Sequence, residues 1–178
     1  MPVQAGINGF GRIGRNVLRA AIESDADVEI VAINDITSPE TLAHLLKYDS
    51  IYGCFEAEVV PDKKSISVNG KPIRIYAERD PLDIPWGNHG AQVVVESTGL
   101  FTNREDANKH LRDSVRKVII SAPAKNRIRI DRSINLGRLS VSFRLTPGHA
   151  DDGVTYLVEG WGRGVPSVAI VGDAIFAA

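Results

Sequence analysis

Three glycines close to the start of this 178-residue chain have the types and spacing most able to support chemistry. Gly9, Gly11 and Gly14 come after a short apolar segment and open a stretch of helical periodicity. In that setting the first glycine permits a tight turn, the second lets the backbone approach a pyrophosphate, and the third allows close packing of a helix on a strand. The free N–H groups of Arg12 and Ile13 would then face the phosphates at the positive end of the helix dipole. The spacing predicts a dinucleotide-binding turn.

A carboxylate stands where a dinucleotide site needs one. Asp35 lies 21 residues after Gly14, directly after a β-branched run. An acid at the end of the second strand accepts hydrogen bonds from ribose hydroxyls, and its charge repels a 2′-phosphate. The pattern therefore favours NAD over NADP. The alternative is that the glycines only make a turn and that Asp35 only ends a strand.

These residues require a strand, a helix and a second strand to position them. Residues 3–8 predict the first strand, and residues 28–33 form a buried β-branched run. The helix between them should end near Ser24 and Asp25. Its predicted apolar face holds Ile13, Val17, Leu18, Ala21 and Ile22, and its polar face Arg12, Arg15, Arg19 and Glu23.

The rest of the first 125 residues continues the alternation of strands and helices. Ser38 and Pro39 predict the start of a second helix, and Asn69-Gly70 predicts a type I′ turn between short antiparallel strands. Residues 91–95 and 115–121 predict further strands, with a helix over 103–111 between them. The expected fold is α/β, a Rossmann-like, doubly wound, mostly parallel sheet with a small antiparallel insertion.

Six blocks of sequence carry a family resemblance. They read I-N-G-F-G-R-I-G-R-N, A-I-N-D, H-L-L-K-Y-D-S, A-E-R-D-P, V-V-E-S-T-G-L-F and K-V-I-I-S-A-P-A-K. In this order and spacing, residues 1–125 resemble the NAD-binding N-terminal half of phosphorylating glyceraldehyde-3-phosphate dehydrogenases. The similar erythrose-4-phosphate dehydrogenases tend to carry Glu where this chain has Asp35.

The resemblance implies a set of NAD contacts. Asp35 would hold the adenosine ribose, Arg79 would lie near the adenine, and Ser121 would approach the nicotinamide ribose. The residues implied on the pyrophosphate and adenosine side are Asn8, Gly9, Phe10, Gly11, Arg12 and Ile13, beside the fingerprint's Gly14, and those implied on the far wall are Ser97, Thr98, Gly99 and Phe101. The family reaction is the NAD-dependent oxidative phosphorylation of glyceraldehyde 3-phosphate in glycolysis, and the family is oligomeric, so other chains of the family are implied partners.

The block S-N-A-S-C-T-T-N, which supplies the family's nucleophile, does not occur in this sequence. We therefore assign no catalytic residue and expect no aldehyde oxidation by this chain alone, unless a partner chain supplies Cys and His. The only thiol, Cys54, is expected to be a small, partly buried residue.

The histidines and the late arginines favour structural roles. We expect His44 to pack or cap a helix, and His89, His110 and His149 to be solvated. No metal site is predicted, because no second ligand stands at a suitable spacing. The remaining basic residues of interest, expected on a solvated strand face, are Arg127, Arg129, Arg132 and Arg138.

Residues 126–178 match no part of the dehydrogenase and contain no lysine. Their pattern predicts a mostly β or irregular tail with strands at 127–130, 139–145, 154–158 and 168–171. Three explanations remain open: a fused segment whose strands complete the sheet, translation in a shifted reading frame, or a small divergent domain with its own partner.

Composition narrows the function classes. The formal net charge of −1 gives no support to broad nucleic-acid binding, and no apolar run approaches the length of a membrane span. The absence of a signal-peptide pattern and the single cysteine predict a cytoplasmic protein. Besides an NAD-binding domain, the alternatives are a non-catalytic nucleotide- or RNA-binding module and a non-functional truncated fragment that exposes apolar surface.

Overall fold

The computed structural model describes residues 1–123 with their side chains and, beyond them, the backbone of four strands. Those strands are β10 (Ser133–Leu136), β11 (Leu139–Leu145), β12 (Val154–Glu159) and β13 (Val168–Val171). The strand expected at 127–130, the turn around His149 and the arginines at 127, 129, 132 and 138 lie outside the described residues.

The first 123 residues alternate strands and helices as the sequence predicts. The strands are β1 (Val3–Asn8), β2 (Val28–Asn34), β3 (Tyr48–Asp49), β4 (Gly53–Cys54), β5 (Val59–Asp62), β6 (Ser65–Val68), β7 (Lys71–Tyr76), β8 (Val93–Glu96) and β9 (Lys117–Ile120). The helices are α1 (Arg12–Glu23), α2 (Pro39–Lys47) and α3 (Arg104–Asn108), with short 3-10 turns at Pro81–Asp83 and Trp86–His89.

Seven of these strands form one sheet in the order β5-β6-β7-β2-β1-β8-β9. The five strands from β7 to β9 are parallel, and β5 and β6 extend the sheet antiparallel. The chain passes from β1 outward through β2 to β7, and then returns to the other side of β1 at β8. This order confirms the doubly wound fold, and its switch point lies between β1 and β8, where such sheets bind ligands beyond the carboxyl ends of the strands.

Apolar side chains cover both faces of the sheet. Ile33, Val93 and Val95 belong to one cluster, whereas their neighbours Ala32 and Val94 belong to a second one. Successive residues of a strand point to opposite faces, so two clusters are what a sheet covered on both sides requires.

Local signals correctly place the Asn69-Gly70 turn and the start of α2, but not the end of α3. Asn69 and Gly70 have φ values of 50° and 78°, the positive angles of a type I′ turn. Ser38 caps α2 by accepting a hydrogen bond from the Thr41 N–H, with Pro39 in the first turn. Helix α3 is shorter than predicted, ending at Asn108 and continuing as turns.

Two polar side chains predicted to be exposed are buried, whereas Ile13 and Ile22, predicted on the apolar face of α1, are exposed. Arg19, expected on the polar face of α1, is 5% exposed because its guanidinium donates to the carbonyls of Leu46, Lys47 and Gly53. His110, expected to be solvated, is fully buried.

Three smaller expectations also need correction. Cys54 is exposed on β4 rather than partly buried, and its thiol lies 3.8 Å from the carbonyl oxygen of Phe55. His44 is exposed in the last turn of α2 with its ring 5.0 Å from that of Tyr48, so it does not pack in the core. His89 is only half-exposed, and its ring nitrogen lies 2.7 Å from the Tyr76 hydroxyl.

The four strands beyond residue 123 pair with one another in the order β10-β11-β12-β13. Each pair is antiparallel, in a sheet separate from the first. The expected β character at 139–145, 154–158 and 168–171 agrees with these strands, whereas β10 is not predicted by the pattern. Among the strands that the structure describes here, none extends the seven-stranded sheet.

Candidate dinucleotide site at the loop edge

Three loops meet beyond the carboxyl ends of the parallel strands, and we call them the loop edge: residues 9–11 after β1, 35–38 after β2, and 97–103 after β8. The Phe10 N–H donates to the Asp35 carboxylate at 2.8 Å, and the Ser97 hydroxyl donates to the Gly9 carbonyl at 2.6 Å. These bonds join the first loop to both of its neighbours.

The three glycines of the fingerprint, two in the first loop and Gly14 in the first turn of α1, have different structural roles. Gly9 has φ +87°, a conformation that side chains disfavour, and a Cβ there would lie 2.6 Å from the Thr98 nitrogen. A Cβ on Gly14 would lie 2.3 Å from the Gly9 carbonyl oxygen. A Cβ on Gly11 would meet no atom within 4 Å, and Gly11 is exposed. The loop therefore needs glycine at the first and third positions for its own packing, whereas the second borders open space.

The amino end of α1 offers unsatisfied donors beside Gly11. No side chain caps this helix, its first turn holds no acidic residue, and the Arg15 N–H makes the bond to the Gly11 carbonyl. The N–H groups of Arg12 and Ile13 precede that bond and have no partner within the helix. Their donors and the dipole suit a pyrophosphate, so the residues present fit the phosphate part of a dinucleotide.

Asp35 is half-buried at the carboxyl end of β2, as predicted. Its Oδ2 accepts from the Phe10 N–H at 2.8 Å, and its Oδ1 accepts from the Thr37 N–H at 2.9 Å. Each carboxylate oxygen keeps a further acceptor site, which can take a ribose hydroxyl. The carboxylate is thus fixed in direction by two backbone donors and still able to accept from a ligand.

The third loop holds the residues expected on the far wall. The Thr98 hydroxyl accepts from the Leu100 N–H at 3.1 Å, and Gly99 has φ +74°. Phe101 is half-buried. Ser97 contacts the glycine loop through its hydroxyl on the Gly9 carbonyl, and the Thr98 backbone packs closely against Gly9.

Not every expected contact residue presents its side chain to the loop edge. Phe10 is 1% exposed and packs in the larger apolar cluster, so its backbone N–H is what reaches Asp35. Asn8 is also 1% exposed, within a buried polar cluster. Arg79 is exposed after β7, and exposed Ser121 follows β9 with its N–H donating to the Glu96 carbonyl at 2.9 Å.

A buried carboxylate behind the loop edge escapes sequence reasoning. Glu96, at the end of β8, is 1% exposed. Burial alone would raise its pKa, but hydrogen bonds from His110, Thr98 and Asn8 outweigh that effect and hold the pKa of Glu96 below its usual value. The available signal is an acid that ends the apolar run V-V-V-E.

The other features of the described residues are separate from the predicted dinucleotide site. A cavity of about 430 Å³ lies at the opposite edge of the sheet, bordered by Pro2, Asp27 and Lys71, and none of the predicted site residues lines it. Within residues 1–123, no cluster of three or more His, Cys, Asp or Glu could hold a metal ion. None of the helices in this same region has the length and apolar composition needed to cross a bilayer.

Comparison with known proteins identifies the family. Residues 3–104 match the family described as "Glyceraldehyde 3-phosphate dehydrogenase, NAD binding domain". Glyceraldehyde-3-phosphate dehydrogenase 1 of Bacillus cereus is 62% identical over 121 residues, which are 68% of this chain and 36% of the relative. The Geobacillus stearothermophilus enzyme is 60% identical over 126 residues, 71% of this chain and 37% of the relative, and that of Streptomyces coelicolor is 55% identical over 126 residues, 71% and 38%.

The chain spans little more than a third of the length of these relatives. The matched family segment contains all three loops of the loop edge. From its fold and these matches, the chain belongs to the glyceraldehyde 3-phosphate dehydrogenase family and carries that family's NAD-binding domain.

Proposed function

We propose that this chain binds NAD at the loop edge, with the pyrophosphate over the amino end of α1 and the adenosine ribose on Asp35. The observation that carries the proposal is the coupling of the loops at the β1/β8 switch point. The Asp35 carboxylate fixes the Phe10 N–H, and Ser97 fixes the Gly9 carbonyl. One set of hydrogen bonds thus orients both the ribose acceptor and the phosphate donors.

The same carboxylate sets the preference between the two nicotinamide cofactors. Its two backbone donors hold the Asp35 side chain in place. A 2′-phosphate would therefore meet a fixed negative charge, while ribose hydroxyls would find acceptors. We expect NAD to bind more tightly than NADP.

NAD, when bound, supplies a hydride acceptor, and the described residues would bind and orient it. A thiol nucleophile for aldehyde oxidation is not at the loop edge. Cys54 lies in the β3–β4 hairpin, whose Gly53 carbonyl accepts a hydrogen bond from Arg19 of α1. Arg19 is two helical turns, about 10 Å, beyond the start of that helix at the loop edge. The proposed function of this chain is therefore NAD binding, and the dehydrogenase reaction would need a nucleophile from elsewhere.

Calorimetric titration with NAD and NADP tests the proposal. Asp35→Ala should weaken NAD binding by about tenfold or more, the usual effect of losing hydrogen bonds to a charged group. Asp27→Ala is the matched control, because exposed Asp27 precedes the same strand at the opposite edge of the sheet. An absence of NAD binding by the wild type at millimolar ligand, or equal binding by the two variants, would overturn the proposal.

A further inference from the structure

Glu96 is bound on every side by hydrogen-bond donors. Its Oε1 accepts from the Thr98 N–H at 2.9 Å and from the Thr98 hydroxyl at 2.5 Å. Its Oε2 accepts from Asn8 Nδ2 at 2.5 Å and lies 3.0 Å from His110 Nε2. A side chain with two acceptor oxygens and no proton satisfies all four contacts.

The geometry fixes the tautomer of His110. The Trp86 indole N–H lies 3.0 Å from His110 Nδ1, and an indole nitrogen can only donate. Nδ1 must then be the acceptor, so the ring is neutral and carries its proton on Nε2. That proton points at Glu96, and all three side chains are buried.

The amide orientations of Asn34 and Asn8 are fixed by the backbone of Glu78. Asn34 donates to the Glu78 carbonyl at 2.9 Å and accepts from the Glu78 N–H at 2.8 Å, so the backbone sets its amide orientation. Its Nδ2 also donates to Asn8 Oδ1 at 2.8 Å, which leaves the Asn8 NH₂ group facing Glu96. If the Asn8 amide were rotated, its NH₂ group would face the NH₂ group of Asn34. Glu96 would then lose the hydrogen bond from Asn8.

This chain of hydrogen bonds links the three loops of the loop edge on their buried side. Asn8 immediately precedes the glycine loop, Asn34 precedes Asp35, and Thr98 belongs to the loop after β8. Glu96 is the group through which the Asn8–Asn34 pair and Thr98 are joined to the rigid Trp86–His110 pair. The Glu96 carboxylate therefore fixes the relative positions of the three loops, although Glu96 belongs to none of them.

We propose that Glu96, held by His110 and Trp86, is a positioning residue for the dinucleotide, setting the spacing between the phosphate loop, the ribose carboxylate and Thr98. This inference rests on the proposed function. It assigns Glu96 no contact with NAD, because Glu96 is buried behind the loops.

A carboxylate is required, and an amide of the same shape fails. Glu96→Gln would turn one NH₂ group either toward the two Thr98 donors or toward Asn8 and His110. Asn34 holds the Asn8 amide and Trp86 holds the His110 tautomer, so the Gln oxygen must face these two donors. Its NH₂ group would then face Thr98, whose hydroxyl can turn to accept a hydrogen bond but whose backbone N–H would lose its acceptor. The loop after β8 would shift as a result.

The test measures NAD affinity by calorimetry at a temperature where circular dichroism shows each variant fully folded. Glu96→Gln should bind NAD about tenfold more weakly, the equivalent of one unsatisfied buried group. Ser114→Ala is the control, because it removes a half-buried hydroxyl's 2.7 Å bond to the Ala91 carbonyl near the other end of β8. It should change affinity less than about twofold.

A second variant and a spectroscopic measurement keep the inference refutable if Glu96→Gln does not fold. His110→Phe removes one donor to Glu96 at a buried residue with no expected contact with NAD, and it should weaken NAD binding more than Ser114→Ala does. Nitrogen NMR of labelled histidine, assigned by the signals lost in His110→Phe, should show His110 protonated on Nε2 with or without NAD.

The outcomes separate the two proposals. If the wild type fails to bind NAD, the proposed function is wrong, and the positioning role falls with it whatever the tautomer. If the wild type binds NAD but the Glu96 and His110 variants match Ser114→Ala, only the positioning role is wrong. A proton on Nδ1 of His110 would overturn the donor assignments on which that role depends.

Discussion

Two single-methyl substitutions, one in the glycine loop and one in the first turn of α1, should separate folding from NAD binding. In Gly14→Ala the new Cβ would lie 2.3 Å from the backbone oxygen of Gly9, 3.0 Å from Ile7 and 3.1 Å from the Ser97 hydroxyl. In Gly11→Ala the Cβ would meet nothing within 4 Å. The first substitution forces the loop and α1 apart, while the second adds a methyl group only to the surface that a pyrophosphate would approach.

The expected size of the folding effect follows from these contacts. Overpacking typically costs about 1–3 kcal/mol, and a contact with backbone places Gly14→Ala at about 2–3 kcal/mol. The helix propensity of alanine returns about 1 kcal/mol of this cost. The net loss of about 1–2 kcal/mol corresponds to a fall in Tm of roughly 2–8 °C for a chain of this size. For Gly11→Ala the weaker helix cap lowers the free energy of unfolding, whereas the reduced entropy of the unfolded chain raises it. Each effect is under about 1 kcal/mol, so they nearly cancel.

Thermal unfolding with and without NAD, together with calorimetry, separates these effects. Gly14→Ala should lower Tm in the absence of ligand. Gly11→Ala should keep the Tm of the wild type but bind NAD about tenfold more weakly, as overpacking against the ligand implies. Wild-type NAD affinity in Gly11→Ala would refute the placement of the pyrophosphate, and an unchanged Tm in Gly14→Ala would refute the close approach of α1 to the loop.

Three further outcomes follow from buried or exposed side chains. Arg19→Ala should lower the free energy of unfolding in urea by about 2–4 kcal/mol, because three carbonyls lose a buried charged donor; a loss equal to that of an exposed arginine would contradict this role. Cys54 is exposed, so a thiol reagent should label the native protein at one site without denaturant; labelling that needs denaturant would show that the thiol is covered. Because the pKa of Glu96 is held below its usual value, its contribution to stability is complete above the usual glutamate pKa and is lost as pH falls through the lower folded-state pKa. Urea unfolding between about pH 7 and about pH 3 should thus lose stability more steeply in the wild type than in Glu96→Gln, and parallel curves would contradict the shift.

Much of the fold near the site could be read from local sequence. The glycine spacing, the β-branched run before Asp35, the Ser38 cap and the Asn69-Gly70 turn all depend on backbone geometry within a few residues. Their signals are therefore present in the sequence itself. The location of Asp35 at a strand end and of Gly14 inside the start of a helix followed from such signals.

Sequence by itself determined that the chain has a dinucleotide-type turn, a parallel sheet and a family-specific set of blocks. Only the tertiary structure decided which polar side chains are buried. Arg19 meets carbonyls 27 to 34 residues away, and His110 meets Glu96 and Trp86 across 14 and 24 residues. Helical periodicity records the average polarity of a face, but a polar group is buried only where distant partners satisfy its hydrogen bonds. Those partners come together when the sheet forms, so the support beneath the loop edge belongs to the folded molecule rather than to any one segment.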